Sequence, residues 1–127
     1  MDEKLKKHGA ISWSELMTSE VAAAKTFYHD LFGWAFDDMP MEKMIYAVVK
    51  VNGEATAGIM PMPPDAGAMP PVWGIYITVD DVDGTAEKAV SQGGKICMPP
   101  WDVPGVGRMC VIQDPQGAYF SIIQYAN

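Results

Sequence analysis

Ser19-Glu20-Val21-Ala22-Ala23-Ala24-Lys25-Thr26-Phe27-Tyr28-His29-Asp30-Leu31-Phe32-Gly33 has a counterpart 61 residues further on, in Asp80-Asp81-Val82 through Gly93-Gly94. Each stretch opens with polar residues suited to an N-cap and stops at glycine, the favoured residue after a helix. The first predicts a helix over residues 20–32 with Val21, Ala24, Phe27, Tyr28 and Leu31 on one face. The offset also brings Trp13 onto Gly74 and Met60 onto Ser121 without a gap. A chain that repeats itself at this spacing is made of two supersecondary units.

The residues around each helix give the unit its composition. Ile11 to Leu16 reads as a strand, as does Val72 to Val79 in the second copy. Trp34 to Phe36 is a short strand, and Met44 to Val51 and Glu54 to Met60 are β-rich runs joined by Asn52-Gly53, a pair suited to the positive φ angles of a hairpin turn. In the second copy, Lys95 to Met98 and Arg108 to Gln113 flank a Pro- and Gly-rich loop, and Asp114-Pro115-Gln116-Gly117 turns the chain into Ala118 to Gln124. Strand, helix, three strands is the order both times. The fold class is therefore α+β: two paired βαβββ modules forming a curved mixed sheet with a concave groove, and helices on the outer face. The organisation expected is a flexible tail over 1–8, module one over 9–62, a proline-rich linker over 63–71 and module two over 72–125.

Composition narrows the function classes. One domain's length and 49% hydrophobic residues suit a single core. No run reaches the roughly 18 apolar residues of a membrane span, and the charged start lacks a signal peptide's apolar stretch, so a cytoplasmic protein is expected. A net charge of -7 repels phosphate backbones and anionic lipid, which argues against nucleic acid or membrane as partner. Cys97 and Cys110 are too few for a disulfide framework and are expected as two buried thiols, placed so that they could be cross-strand neighbours. Gly105-Val106-Gly107 is read as a flexible turn, since it lacks the third glycine and following helix of a dinucleotide site.

With these elements in place, the sequence resembles the vicinal oxygen chelate superfamily, also called the glyoxalase, bleomycin-resistance and extradiol-dioxygenase superfamily. The residues that carry the likeness are Phe27-Tyr28-His29-Asp30-Leu31-Phe32-Gly33-Trp34, Val79-Asp80-Asp81-Val82-Asp83, Gly93-Gly94 and Asp114-Pro115-Gln116-Gly117. The resemblance implies paired βαβββ modules, commonly a homodimer, and a ligand held in the concavity. It also implies that metal-using members place His, Gln or Glu at four positions that fall here on Trp13, Met60, Gly74 and Ser121. None of these is an ordinary metal ligand, so neither a metal nor any other cofactor is expected.

Strand alternation nominates the lining of the groove. Glu15 shares a strand face with Trp13, either as a rim carboxylate in water or as a ligand-binding or general-base carboxylate. Trp13, Tyr46, Met60, Met62, Tyr76 and Tyr119 would make an apolar, polarisable wall suited to a flat small molecule, with Ser121 beside them; equally, they could fill the space between modules. Trp101, in the Pro99–Gly107 loop, would be a lid or would tuck against its own domain. The expected function is a glyoxalase/bleomycin-resistance-like domain that binds a small, partly apolar molecule in a metal-free groove. The alternatives are a metal-dependent glyoxalase-like lyase or isomerase, a dioxygenase relative, a metal-free enzyme with Glu15 as base, and a non-catalytic interaction module.

Overall fold

A computed structural model describes residues 2–41, 44–62 and 70–126. Its elements are a 3-10 turn at Glu3–Lys6, then β1 (Ile11–Thr18), α1 (Val21–Phe32), β2 (Ala35–Pro40), β3 (Ile45–Val51), β4 (Glu54–Pro61), β5 (Val72–Thr78), α2 (Val82–Ser91), β6 (Lys95–Val103), β7 (Gly107–Gln113) and β8 (Tyr119–Tyr125). This is strand, helix, three strands, twice. The chain divides into two compact units, one of Trp13–Gly74 and one that joins the residues up to Ser12 to those from Ile75 onward.

In the first unit the strands lie in the order β2, β3, β4, β1, with β1 parallel to β4 and the other neighbours antiparallel. Its core is Leu16, Ala47, Val49, Ala57 and Ile59, against which Val21, Ala24 and Tyr28 of α1 pack. Phe27 and Leu31 do not join them. Both are 57% exposed, because at 100° per residue they fall on the flank of the Val21–Ala24–Tyr28 stripe. Asn52 (φ 50°) and Gly53 (φ 81°) form the left-handed pair that a tight β3–β4 hairpin requires.

The second unit repeats the plan in the order β5, β8, β7, β6, with β5 parallel to β8. Val79, Val82, Ala86, Cys110, Ile112 and Ile122 form its core. Leu16 and Ile77 are 61 positions apart, yet their partners across the parallel pairs, Ile59 and Ile122, are 63 apart. The repeat thus gains two residues before its last strand. Since side chains alternate with period two, a two-residue gain leaves every side chain on its original face.

Several expectations are corrected. Neither Glu20 nor Asp81, the N-cap residues, makes a side-chain cap; the first amide of α2, Val82 N, donates instead to Gln124 Oε1 on β8 at 3.0 Å. Residues 2–8, expected as a flexible tail, make these contacts: Asp2 caps the 3-10 turn, Thr78 Oγ1 donates to the Leu5 carbonyl, and Asp80 N donates to His8 Nδ1. Strand β6 continues through Pro99-Pro100 to Val103 where a loop is expected, with register shifts at Ile96/Met98 and Met98/Trp101. It is the outermost strand of its unit, and an outer strand with bulges tolerates residues that cannot donate to a ladder. Of the expected linker 63–71, residues 63–69 lie outside the described residues. Among the described residues no helix is long and apolar enough to cross a membrane.

Candidate functional site

Which side chains share a face follows from the cores. Leu16, Ala47, Val49, Ala57 and Ile59 point toward α1, so their sequence neighbours Trp13, Glu15, Tyr46, Gly58 and Met60 belong to the opposite face of the first unit's sheet. In the second unit Ile77, Val79, Cys110, Ile112 and Ile122 point toward α2. Tyr76, Thr78, Met109, Val111, Tyr119, Ser121 and Ile123 therefore occupy the other face, and Trp101, paired directly with Met109, joins them. Met62 follows the end of β4, where its amide donates to the Thr18 carbonyl at 3.0 Å.

Trp13, Tyr46 and Glu15 come together in one hydrogen-bonded chain. Trp13 Nε1 donates to the Tyr46 hydroxyl at 3.0 Å, and that hydroxyl donates to Glu15 Oε2 at 2.7 Å. The polarity is fixed at its start, because an indole N–H can only donate. Tyr46 must then turn its own proton toward the carboxylate. Glu15 is only 9% exposed, which removes the solvated-rim reading of this residue in the described structure.

Gly58 makes the chain possible. It is the β4 residue directly beside Glu15 in the parallel pair, and a Cβ there would collide with the Tyr46 hydroxyl and the ring carbons next to it. An isolated glycine inside a strand signals such a close approach, and this signal went unused in the reading of the sequence. Gly58→Ala is expected to push the Tyr46 ring off the sheet, break both hydrogen bonds and cost about 1–3 kcal/mol. Urea unfolding with an unchanged m-value would measure it, and a midpoint like that of the parent would refute it.

The second unit is built differently at the matching place. Tyr76 lies beside Ser121 where the first unit has Glu15 beside Gly58. Tyr76 is buried, Trp101 and Ser121 are part-buried, and Tyr119 is 54% exposed. Trp101 sits within a paired strand, so it is not a loop lid. Nearby, Ser12 Oγ and Tyr125 Oη lie 2.7 Å apart, and burial pushes the Tyr125 hydroxyl up from its ordinary value.

Arg108 carries structure in the second unit. Arg108 bonds both carboxylate oxygens of Asp83 on α2 and one of Asp102 on β6, and its guanidinium holds Asp83 below the usual carboxylate value. Cys110 is buried as expected, but Cys97 is exposed. Burial raises both thiols, which keeps them from being ready nucleophiles near neutral pH.

The register corrects the expected pairing of Met60 with Ser121, since Ser121 matches Gly58 and Met60 matches Ile123; the four positions that the resemblance nominated for metal ligands do not carry them. Trp13 offers an N–H already given to Tyr46, Met60 a thioether, Gly74 no side chain and Ser121 a neutral hydroxyl. Such a set does not suit a hard or borderline divalent cation, and among the described residues no group of three or more His, Cys, Asp or Glu is arranged to hold an ion.

Comparison with known proteins adds independent weight. The profile of the Glyoxalase/Bleomycin resistance protein/Dioxygenase superfamily matches residues 10–122. A protein of Mycobacterium bovis that bears the name "Putative glyoxylase CFP32" is 46% identical over 121 residues, which are 93% of this chain and 46% of that protein. The anthracycline biosynthesis protein DnrV of Streptomyces peucetius is 33% identical over 127 residues, covering 90% of this chain and 46% of its own length. The chain thus spans about half the length of these curated relatives. Among solved structures, methylmalonyl-CoA epimerase from Mycobacterium tuberculosis superposes with a TM-score of 0.66 at 18% identity, over 94% of this chain and 89% of that one. At that identity the likeness concerns the fold alone.

Proposed function

Because the chain belongs to the Glyoxalase/Bleomycin resistance protein/Dioxygenase superfamily, we propose that it binds a small, partly apolar molecule, without a metal, on the sheet faces turned away from its helices. The observation that carries this reading is the Trp13–Tyr46–Glu15 chain: two aromatic side chains and a buried carboxylate converge on one face that takes no part in the helix-side core. An apolar lining with few placed polar groups is the usual make-up of a small-molecule site. The donor set at Trp13, Met60, Gly74 and Ser121 supports binding without a cation. Taken by itself, the second unit's face away from its helix carries Tyr76, Trp101, Tyr119 and Ser121 as candidate ligand contacts, and Met62 adds to those of the first unit. A cytoplasmic location and a homodimeric state complete the proposal, neither nucleic acid nor membrane being a partner.

A second reading, catalysis, draws on the same carboxylate. Relatives whose names read "Putative glyoxylase" give it a place, and Glu15 is the group that would accept a proton from a bound carbonyl compound.

A thermal-shift screen tests the first reading. Flat aromatic compounds are expected to raise the melting temperature, with a stabilisation of about 2.7 kcal/mol when ligand is a hundredfold over Kd. Zinc, nickel and manganese are expected to leave it unchanged. Stoichiometric metal in protein purified without chelator would overturn the metal-free reading, and a screen in which no organic compound shifts the transition would overturn the binding reading.

A further inference from the structure

The outer face of α1 is chemically matched to itself. We infer that two copies of this chain meet there, their α1 helices running antiparallel about a two-fold axis that passes between Thr26 and Phe27. This rests on the homodimeric state proposed above and names the residues that form it.

An exposed apolar face is the first support. Val21, Ala24 and Tyr28 pack on the first unit's core, which leaves Ala22, Ala23, Thr26, Phe27, Asp30 and Leu31 exposed along the other side of the helix. Thr26 Oγ1 donates back to the Ala22 carbonyl at 3.3 Å, so its hydroxyl is already occupied within the helix. Phe27 is braced edge-on by the Tyr28 ring, with centroids 5.2 Å apart. Asp30 is the charged member of the six. Apolar side chains grouped in this way mark a contact surface.

Shape selects a second copy as the occupant. The large residues Phe27 and Leu31 stand in the C-terminal half of the face, and the small residues Ala22 and Ala23 in the N-terminal half. Antiparallel pairing sets Leu31 opposite the partner's Ala22, Asp30 opposite the partner's Ala23 and Phe27 opposite the partner's Thr26. Bulk on one helix then meets a hollow on the other, twice over, in an isologous contact.

Charge makes the same selection. Asp30 lies in the last turn of α1, where the helix dipole disfavours an acid, while the first turn holds no acid and Glu20 provides no side-chain cap. The antiparallel pair brings each Asp30 to the first turn of the other helix and corrects both mismatches together. A lipid surface offers no such match, and a net charge of -7 opposes an anionic one. The six side chains expose on the order of 500 Å² per copy, less than the roughly 800 Å² that each partner gives a standard interface, so the dimer is expected to dissociate on dilution.

Sedimentation equilibrium of the 127-residue chain, run between about 5 and 500 µM, tests the surface. The average mass is expected to rise with concentration from one copy toward two. Leu31→Ala and Asp30→Lys are each expected to weaken the dimer at least about tenfold, because the two-fold axis makes every lost contact count twice. Asp30→Lys is also expected to keep or raise the melting temperature of the dilute, monomeric protein, since a cation suits the last turn of a helix. A dimer as tight as the parent's in either variant would overturn the surface and leave the homodimeric state standing. A parent that stays monomeric throughout would overturn both, and one that binds neutral phosphatidylcholine vesicles instead would assign the face to lipid. A lower melting temperature in Asp30→Lys would trace its weaker dimer to damage of the fold, and would overturn the inference as well.

Discussion

Gly107→Ala is expected to cost about 3 kcal/mol or more, because the new methyl group would run into backbone that cannot step aside. Gly107 is buried at the start of β7 with φ 154°. A Cβ there would overlap the Gln124 carbonyl oxygen and lie 2.9 Å from Tyr125 Cα. The neighbours that must move are also anchors: Gln124 caps the first amide of α2, and the Tyr125 hydroxyl meets Ser12 Oγ at 2.7 Å. Overpacking and an unfavourable φ each cost about 1–3 kcal/mol, and here they act at one residue. The measurement is urea unfolding monitored by tryptophan fluorescence. A loss below about 1 kcal/mol would mean that the end of β8 yields easily, against the geometry described.

Ile59→Ala is expected to be comparably severe, at about 2–5 kcal/mol, since it removes a fully buried side chain from the centre of the first unit's core. Ile59 lies beside Leu16 in the parallel pair that joins the unit's first strand to its last, and beside Ala47 on its other side. Its neighbours are mainly small, Ala47, Ala57 and Val49, and are held by strand pairing, so they cannot close the void. Against a typical total of about 5–15 kcal/mol, such a loss leaves a markedly less stable domain. Ile59→Val, which deletes one methyl group, is expected to cost only about 0.5–1.5 kcal/mol. Equal losses in the two variants would show that cavity size is not what governs this site.

Much of the architecture was legible in local pattern. The Asn52-Gly53 turn, the glycine stops at Gly33 and Gly93, and the shared strand face of Trp13 and Glu15 follow from backbone preference and period-two geometry. The misreadings share one cause, the dependence of a residue's role on neighbours remote in sequence. Pro99 and Pro100 read as loop residues until β6 is seen to be outermost in its unit. Gly107 read as turn flexibility, whereas β8 presses against it. Asp81 read as a cap, yet the acceptor comes from Gln124, 42 residues from Val82.

The candidate site shows the same division. Strand parity named Glu15 and the aromatic residues, and the likeness to the superfamily pointed to Trp13, Met60, Gly74 and Ser121, whose side chains are not ordinary metal ligands; donor set and parity are local properties. Only the tertiary structure decided that Tyr46, 31 residues from Glu15, would hand its proton to that carboxylate, and that Gly58 would leave the room. A hydrogen bond across strands depends on register, and register is set by the packing of the whole sheet.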